Sequence, residues 1–120
     1  MSIETATTEG EPMLAASEAT MILDEQEVLT AVADPLRRSL LKLLGEGEAY
    51  DVTTLAANVR RPRDTVAKHL KVLRDARMIR PVTPPGMDGR KTFHVVPSLY
   101  ITKDAAGRRA LDFGSVVVRL

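Results

Sequence analysis

One stretch of the chain, from Arg60 to Arg80, carries eight basic residues and two acidic ones. The bases are Arg60, Arg61, Arg63, Lys68, Lys71, Arg74, Arg77 and Arg80. They alternate with apolar residues at helical spacing, so one face of a helix would pack on a core while the opposite face presents guanidinium and ammonium groups. Such groups bind polyanions by neutralising their charge. The stretch therefore predicts a polyanion-binding helix, although many charge-rich helices are simply solvated.

The net charge of +1 hides a strong segregation along the chain. Residues 1–27 hold seven acids and no base, and residues 28–59 hold four acids and three bases. Residues 60–80 are net +6, and residues 81–120 hold six bases and three acids. Because the basic charge is concentrated on one segment, its field is focused there, as in nucleic-acid-binding domains.

Composition excludes several other classes of protein. The chain has no cysteine, so disulfides, thiolate metal sites and thiol catalysis are excluded, and two histidines are too few for a histidine-only metal cage. No nucleophile motif surrounds its serines, so we expect no enzyme activity and no cofactor or metal. We find no apolar run of transmembrane length and no leader, which predicts a soluble cytoplasmic protein without membrane contact.

Capping and breaking residues divide the sequence into helices. Residues 1–20 are acidic and lack a sustained period, which predicts a disordered tail. Asp34 and Asp51 are predicted N-caps, Pro35 suits the first helical turn, and Pro62 separates the last two helices. The predicted helices cover Asp24–Ala33, Pro35–Leu44, Val52–Val59 and Arg63–Ala76. The last two are close enough for a helix-turn-helix.

The second half of the chain predicts strands. Met78–Thr83 reads as an edge strand because Pro81 cannot donate to a sheet ladder. Asp88-Gly89 favours a hairpin turn, and Arg90–Val96 returns as the second strand. Residues 21–97 thus form the predicted domain. Residues 98–120 are a C-terminal extension, with a loop over residues 98–109 and a β-branched strand over residues 115–120.

Four blocks of sequence, in this order, resemble the ArsR/SmtB family of winged helix-turn-helix repressors. They are ADPLRRSLLKLL at 33–44, LAANV at 55–59, TVAKHLKVLRDARMI at 65–79 and DGRKTFHV at 88–95. The resemblance spans residues 24–96. It implies an α+β, mainly α, winged helix-turn-helix with a two-stranded wing, to which the chain adds a short C-terminal strand. It also implies a homodimeric repressor of transcription that binds a palindromic operator in double-stranded DNA.

On this resemblance, Arg63–Ala76 is the recognition helix and Met87–Lys91 the wing. Residues near the N-terminus of the helix would reach base edges, while the other bases would contact phosphates. The predicted DNA-contacting residues are Arg61, Arg63, Asp64, Thr65, Ala67, Lys68, His69, Lys71, Arg74, Arg90 and Lys91. Asp64 has a second interpretation as a helix cap, and His69 as a packing residue. Arg90 and Lys91 have one as solubilising charges.

The chain departs from the family pattern in its turn and in its sensing elements. Arg60 stands where the family has glycine, and Pro62 where it has a small polar residue. The metal-binding cysteines, the C-terminal metal ligands and the long C-terminal dimer helix are absent. We hypothesise that Val116–Leu120 adds a strand to a sheet edge, in the same subunit or its partner, and takes over part of the dimer role. Alternatives are a protein-interaction module without DNA binding, or a repressor that responds to a metal or a small-molecule inducer.

Overall fold

The structure, a computed structural model, describes residues 23–87, 89 and 91–120. The predicted acidic tail lies outside the described residues, and so do two wing residues, Asp88 and Arg90.

Aspartate caps begin three of the four helices in the described part of the chain. The helices are α1 (Glu25–Val32), α2 (Pro35–Leu44), α3 (Val52–Val59) and α4 (Arg63–Asp75). Asp24 accepts from the Glu27 N–H at 2.9 Å, Asp34 from the Leu36 N–H at 2.8 Å, and Asp51 from the Thr54 N–H at 2.9 Å. Such a cap stabilises a helix by about 1 kcal/mol. The predicted helices are confirmed, with ends that differ by one residue in α1 and α4.

Three short strands form an antiparallel sheet. The first lies between α2 and α3, and the other two follow α4. The strands are β1 (Tyr50–Asp51), β2 (Arg80–Val82) and β3 (Phe93–Val95), in the order β1-β3-β2. The prediction that Pro81 lies on an edge strand is confirmed. The predicted two-stranded wing is confirmed as the antiparallel pair β2 and β3, and β1 adds a third strand to their sheet. Strand β1 has two residues, and the second is the N-cap of α3, so the strand is too short to show an alternating pattern in the sequence.

The C-terminal extension forms a second antiparallel sheet. A 3₁₀ turn at Ser98–Tyr100 leads into β4 (Ile101–Lys103), β5 (Arg109–Asp112) and β6 (Val117–Arg119), in the order β4-β5-β6. The predicted C-terminal strand is confirmed, and it pairs with β5 of its own chain. The prediction of a loop over residues 98–109 is wrong. Strands of three and four residues are too short to display the alternation that marks a strand.

Both sheets share one apolar core with the helices. Its largest fully buried side chains are Val28, Leu40, Leu41, Leu44, Leu55, Val66, Leu70, Leu73, Met78 and Leu111. The C-terminal sheet meets the end of α2 at Gly45, where an added Cβ would lie 3.0 Å from Leu111 Cδ2. Arg109 Nη2 donates to the Gly45 carbonyl at 3.0 Å. The extension is therefore packed against α2 as part of the same core.

Helices α3 and α4, joined by a short turn and followed by the sheet of β1, β2 and β3, form a winged helix-turn-helix. The fold class is α+β and mainly α, as predicted. None of the helices in the described residues is long and apolar enough to cross a membrane.

Candidate nucleic-acid interface

The turn between α3 and α4 depends on a strained arginine. Arg60 follows α3 directly and has φ 57° and ψ 49°, in the left-handed region. Its N–H donates to the Ala56 carbonyl, which also accepts from the Arg61 N–H at 3.2 Å. These bonds end α3 and let α4 begin at Arg63. Glycine adopts this conformation without the steric cost that a Cβ imposes, so Arg60 carries strain that glycine would not.

Helix α4 separates its apolar and charged faces. Val66, Leu70 and Leu73 are buried. The exposed residues of α4 among those predicted to contact DNA are Arg63, Asp64, Ala67, Lys68 and Lys71. Pro62 occupies the N-cap position and no side chain caps the helix, so the interpretation of Asp64 as a cap is wrong.

Most of the residues predicted to contact DNA line one of two clefts, which lie on opposite sides of α4. A groove of about 710 Å³ between α2, α3 and α4 is lined in part by Arg61, Thr65 and His69. A cleft of about 290 Å³ between α4 and the wing is lined by Arg63, Ala67, Leu70 and Arg74, together with residues of β1 and β3 and their neighbours. The exposed ridge of Asp64, Lys68 and Lys71 lies between the two.

On the α2 side, His69 is engaged by Arg37. Arg37 Nη1 lies 3.0 Å from His69 Nδ1, and because a guanidinium only donates, Nδ1 accepts. Arg37 also donates from Nε to the Ala31 carbonyl at 2.8 Å and from Nη2 to the Thr30 carbonyl at 3.2 Å. It therefore caps the C-terminal end of α1 and ties it to α4. The packing interpretation of His69 is supported by this contact.

On the wing side, Arg74 is engaged by His94. Arg74 Nη1 donates to His94 Nε2 at 3.1 Å, and the imidazole is buried. Burial lowers the pKa of His94 below its ordinary value, and the positive charge of Arg74 lowers it further. The Tyr50 backbone opposes that shift of the pKa, although it does not complete a hydrogen bond to Nδ1. The neutral imidazole is the form that this wing accommodates.

Lys91 joins the same cleft and pairs with the cap of α3. Its Nζ lies 3.7 Å from Asp51 Oδ2, while its side chain remains 69% exposed. Hydrogen bonds from Thr54 lower the pKa of Asp51, and the charge of Lys91 contributes in the same direction. An ion pair this exposed stabilises the fold little, so the ammonium group of Lys91 is free to exchange Asp51 for another anion.

Lys71 also has an acidic neighbour. Its Nζ lies 2.8 Å from Asp75 Oδ2, and both side chains are more than 60% exposed, at 67% and 62%.

Arg90 lies outside the described residues. Among the described residues, no three His, Asp or Glu side chains are grouped so that they could hold a metal ion.

Arg37 and His94 were not among the residues predicted to contact DNA. They hold two of those residues, His69 and Arg74, in place. Neither partner carries a sequence signal of its own, because the pairs are 32 and 20 residues apart in the chain. Within strand β3 the structure buries His94 and leaves Phe93 and Val95 half-buried.

Comparisons with known proteins agree with this fold. Residues 32–82 match a family model described as a helix-turn-helix domain. The structure of NolR from Sinorhizobium fredii is similar, with a TM-score of 0.54 and 22% sequence identity, over 76% of this chain and 83% of that one.

A second similar structure is that of Mb0332 from Mycobacterium bovis. It is described as the homodimeric winged helix-turn-helix DNA-binding domain, fragment 1–100, of a possible ArsR-family transcriptional regulator. The match has a TM-score of 0.53 and 18% identity, over 74% of this chain and 75% of that one. A comparison with curated protein sequences finds no match.

Proposed function

We propose that the chain is a DNA-binding transcriptional regulator that reads its operator through α4 and contacts the flanking backbone through the wing. The observation that carries the proposal is the placement of exposed bases, with Arg63, Lys68 and Lys71 on α4 and Lys91 beside it on the wing. A helix with that charge fits the major groove, where side chains near its N-terminus reach base edges.

The surface of α4 argues against a protein-interaction module. Of its large apolar side chains, Val72 is the one that is exposed, at 36%, and the rest of the outer face is charged or small. A helix that docks another protein presents an apolar stripe at positions three and four apart. The charged face is the complement of a phosphate backbone.

A salt titration tests DNA binding most directly. Binding of the chain to duplex DNA should weaken linearly in log affinity against log salt, because each neutralised phosphate releases counterions. Affinity that does not change with salt would refute the proposal. Lys103→Ala is the control for removing a lysine from the proposed interface, because Lys103 is exposed on β4 in the C-terminal sheet, away from α4 in the sequence. This variant should bind DNA as the unaltered chain does.

Two kinds of substitution should separate readout from positioning. Lys71→Ala should weaken binding to all sequences alike and lower the salt slope by about one. Arg63→Ala or Thr65→Ala should also change which sequence is preferred. Selection of bound fragments from genomic DNA would supply the operator for this test, and the reverse pattern would overturn the assignment of roles.

We propose further that the regulator is a homodimeric repressor of the ArsR/SmtB type acting on a palindromic operator in the cytoplasm. The sequence blocks support the family, and the similar Mb0332 domain is described as homodimeric. Two recognition helices would then enter successive major grooves about 34 Å apart. A repressor should lower transcription from a promoter that contains the selected operator, and a rise would reverse the sign.

The C-terminal sheet is our proposed contributor to the dimer. No α-helix follows α4 in the described chain, and Leu99, Val117 and Leu120 expose 54%, 55% and 41% of their surface there. Val117→Lys together with Leu99→Lys should weaken the dimer in sedimentation experiments without opening the core. Leu29→Lys, on α1, is the matched control. An unchanged dimer would remove the sheet from the interface.

A further inference from the structure

His94 is a buried imidazole at the centre of the wing sheet. It lies on the middle strand, opposite Tyr50 of β1 on one side and Pro81 of β2 on the other. The residue is 3% exposed. A polar ring in such a place loses hydration, which is unfavourable unless its nitrogens find partners. The contacts of the two ring nitrogens therefore indicate what the histidine does.

Hydrogen bonding of the ring is one-sided. Because Nε2 accepts from Arg74, it carries no proton, and the neutral ring is protonated at Nδ1. Nδ1 is buried and completes no hydrogen bond among the described residues, although the backbone of Tyr50, opposite it on β1, favours a proton on the ring. An apolar side chain would fill the same space without an unpaired N–H, so packing alone does not account for a histidine here. The Nε2 contact is what the imidazole supplies.

Arg74 is held by this contact and keeps donors to spare. Among the described residues, the acceptor that Arg74 contacts is His94, whereas Arg37 uses all three of its guanidinium nitrogens on internal acceptors. Arg74 is half-buried and lines the cleft between α4 and the wing, where Arg63 and Lys91 lie as well. Its remaining N–H groups are available to a ligand in that cleft.

We infer that His94 is a positioning residue for DNA binding: its Nε2 orients the Arg74 guanidinium so that α4 and the wing hold the same stretch of DNA backbone. The inference rests on the proposed DNA-binding function. Guanidinium donors pair with two phosphate oxygens at once, and an arginine that is already oriented loses less rotamer freedom on binding. Lys91 and Arg63 would add charge from either side of the cleft.

Protonation of His94 would break this arrangement. Nε2 would become a donor, and a second positive charge would lie beside Arg74. Arg63 and Arg74 of α4, Asp51 of β1 and Lys91 next to β3 line the cleft that borders the ring, and on β2 Arg80 precedes Pro81, the strand partner of His94. The charge of Arg74 acts directly on the imidazole and opposes its protonated form. DNA affinity should therefore fall at pH values below the ordinary histidine value of about 6.5, as the pH approaches the lowered pKa of the folded imidazole.

The test compares replacements of His94 that differ in whether they accept a hydrogen bond. The probe is a mixed-sequence DNA duplex of about three helical turns, and binding of the full chain is measured by fluorescence anisotropy at fixed salt. His94→Leu removes the acceptor and should weaken binding about tenfold. His94→Gln keeps an oxygen acceptor that does not titrate, and it should bind nearly as the unaltered chain does at neutral pH.

Two further readouts distinguish positioning from a structural role. In an Arg74→Ala background, His94→Leu should cause no further loss, because the group that it positions is gone. As the pH is lowered from about 7.5 through about 6.5 towards the lowered pKa of His94, affinity of the unaltered chain should fall while that of His94→Gln stays level. Thermal unfolding of each variant checks that the fold persists, and if His94→Leu does not fold, His94→Gln and the pH profile decide.

Three results would overturn the inference while leaving the proposed function intact. They are wild-type affinity in folded His94→Leu, independent losses from His94→Leu and Arg74→Ala, or a His94→Gln profile that falls with pH as the unaltered chain does. If the unaltered chain does not bind the duplex in a salt-dependent manner, the proposed function fails and this inference fails with it.

Discussion

Two arginine–histidine pairs flank α4, and they differ in how much of each arginine the protein itself uses. At the α2 junction, defined by Arg37 and His69, every guanidinium nitrogen has an internal acceptor. At the wing junction, defined by Arg74 and His94, one nitrogen has an acceptor among the residues that the structure describes. The arginine–histidine hydrogen bonds of the two pairs are similar in length, at 3.0 Å and 3.1 Å. The pairs differ in how many guanidinium nitrogens are without an acceptor among the described residues.

That difference separates a structural arginine from one that can bind a ligand. Arg37 donates to two carbonyls at the C-terminal end of α1, those of Ala31 and Thr30, and the Thr30 carbonyl also accepts from the Ala33 N–H, so the contribution of Arg37 is to stability. Arg74 borders an open cleft and keeps donors that none of the described side chains or carbonyls uses, so its contribution is to binding. Basic residues that appear equivalent in the sequence therefore divide according to the acceptors that the fold places around them.

Removing Arg37 should have the largest effect on stability. Arg37→Ala deletes three hydrogen bonds and leaves His69 Nδ1 and the Ala31 carbonyl to find other partners, so it should lower the free energy of unfolding by about 2–3 kcal/mol. Chemical denaturation measures this. Arg38→Ala is the control from the same helix, since Arg38 is exposed and donates one bond, to the Val32 carbonyl at 2.6 Å. It should lose about 1 kcal/mol or less.

Removing Arg74 should show the opposite profile. Arg74→Ala should weaken DNA binding about tenfold and lower the salt slope by about one, while its free energy of unfolding changes by less than that of Arg37→Ala. Anisotropy titrations at several salt concentrations measure the first two quantities. A variant of Arg74 that is as unstable as that of Arg37, with unaltered DNA affinity once folded, would erase the contrast between the junctions.

The wing junction should also make stability depend on pH. Because the folded pKa of His94 is lowered, the unfolded chain takes up a proton first as pH falls, so stability is present above about pH 6.5 and is lost below it, towards the folded pKa. Denaturation curves of the unaltered chain and His94→Gln across this range should diverge on the acid side. Parallel curves would show that His94 does not titrate in this way.

The smallest effect is expected in the turn before α4. Arg60→Gly should relieve the left-handed conformation at that residue and raise the free energy of unfolding by about 0.5 kcal/mol, the steric gain being partly offset by the flexibility of glycine. Arg61→Gly removes the same charge but has no positive φ to relieve, so it should lower stability. Equal changes in the two variants would mean that the turn is not strained.

The sequence predicted the helices well because their signals are local. Asp34 and Asp51 cap the helices that follow them, and the apolar spacing of Val66, Leu70 and Leu73 marks the buried face of α4. The exposed bases of α4 followed from the same period. The left-handed turn coincides with Arg60, the position where the resemblance expected glycine.

The strands and the partners were harder to predict, since their signals are not local. Strand β1 has two residues, and β4 and β5 have three and four, so their identity comes from the ladders that they join rather than from their own pattern. The burial of His94 likewise follows from its place in the middle of the wing sheet. No sequence period reports which strand will be central.

By itself, the sequence determined where the helices begin and end, which face of α4 is charged and that thiol chemistry is absent, because each depends on residue type and spacing within one segment. Tertiary structure decided which arginines are satisfied internally and which keep donors for a ligand. Hydrogen-bond acceptors such as His69 and His94 reach their arginines from 32 and 20 residues away, and only the packed chain brings them within 3.1 Å.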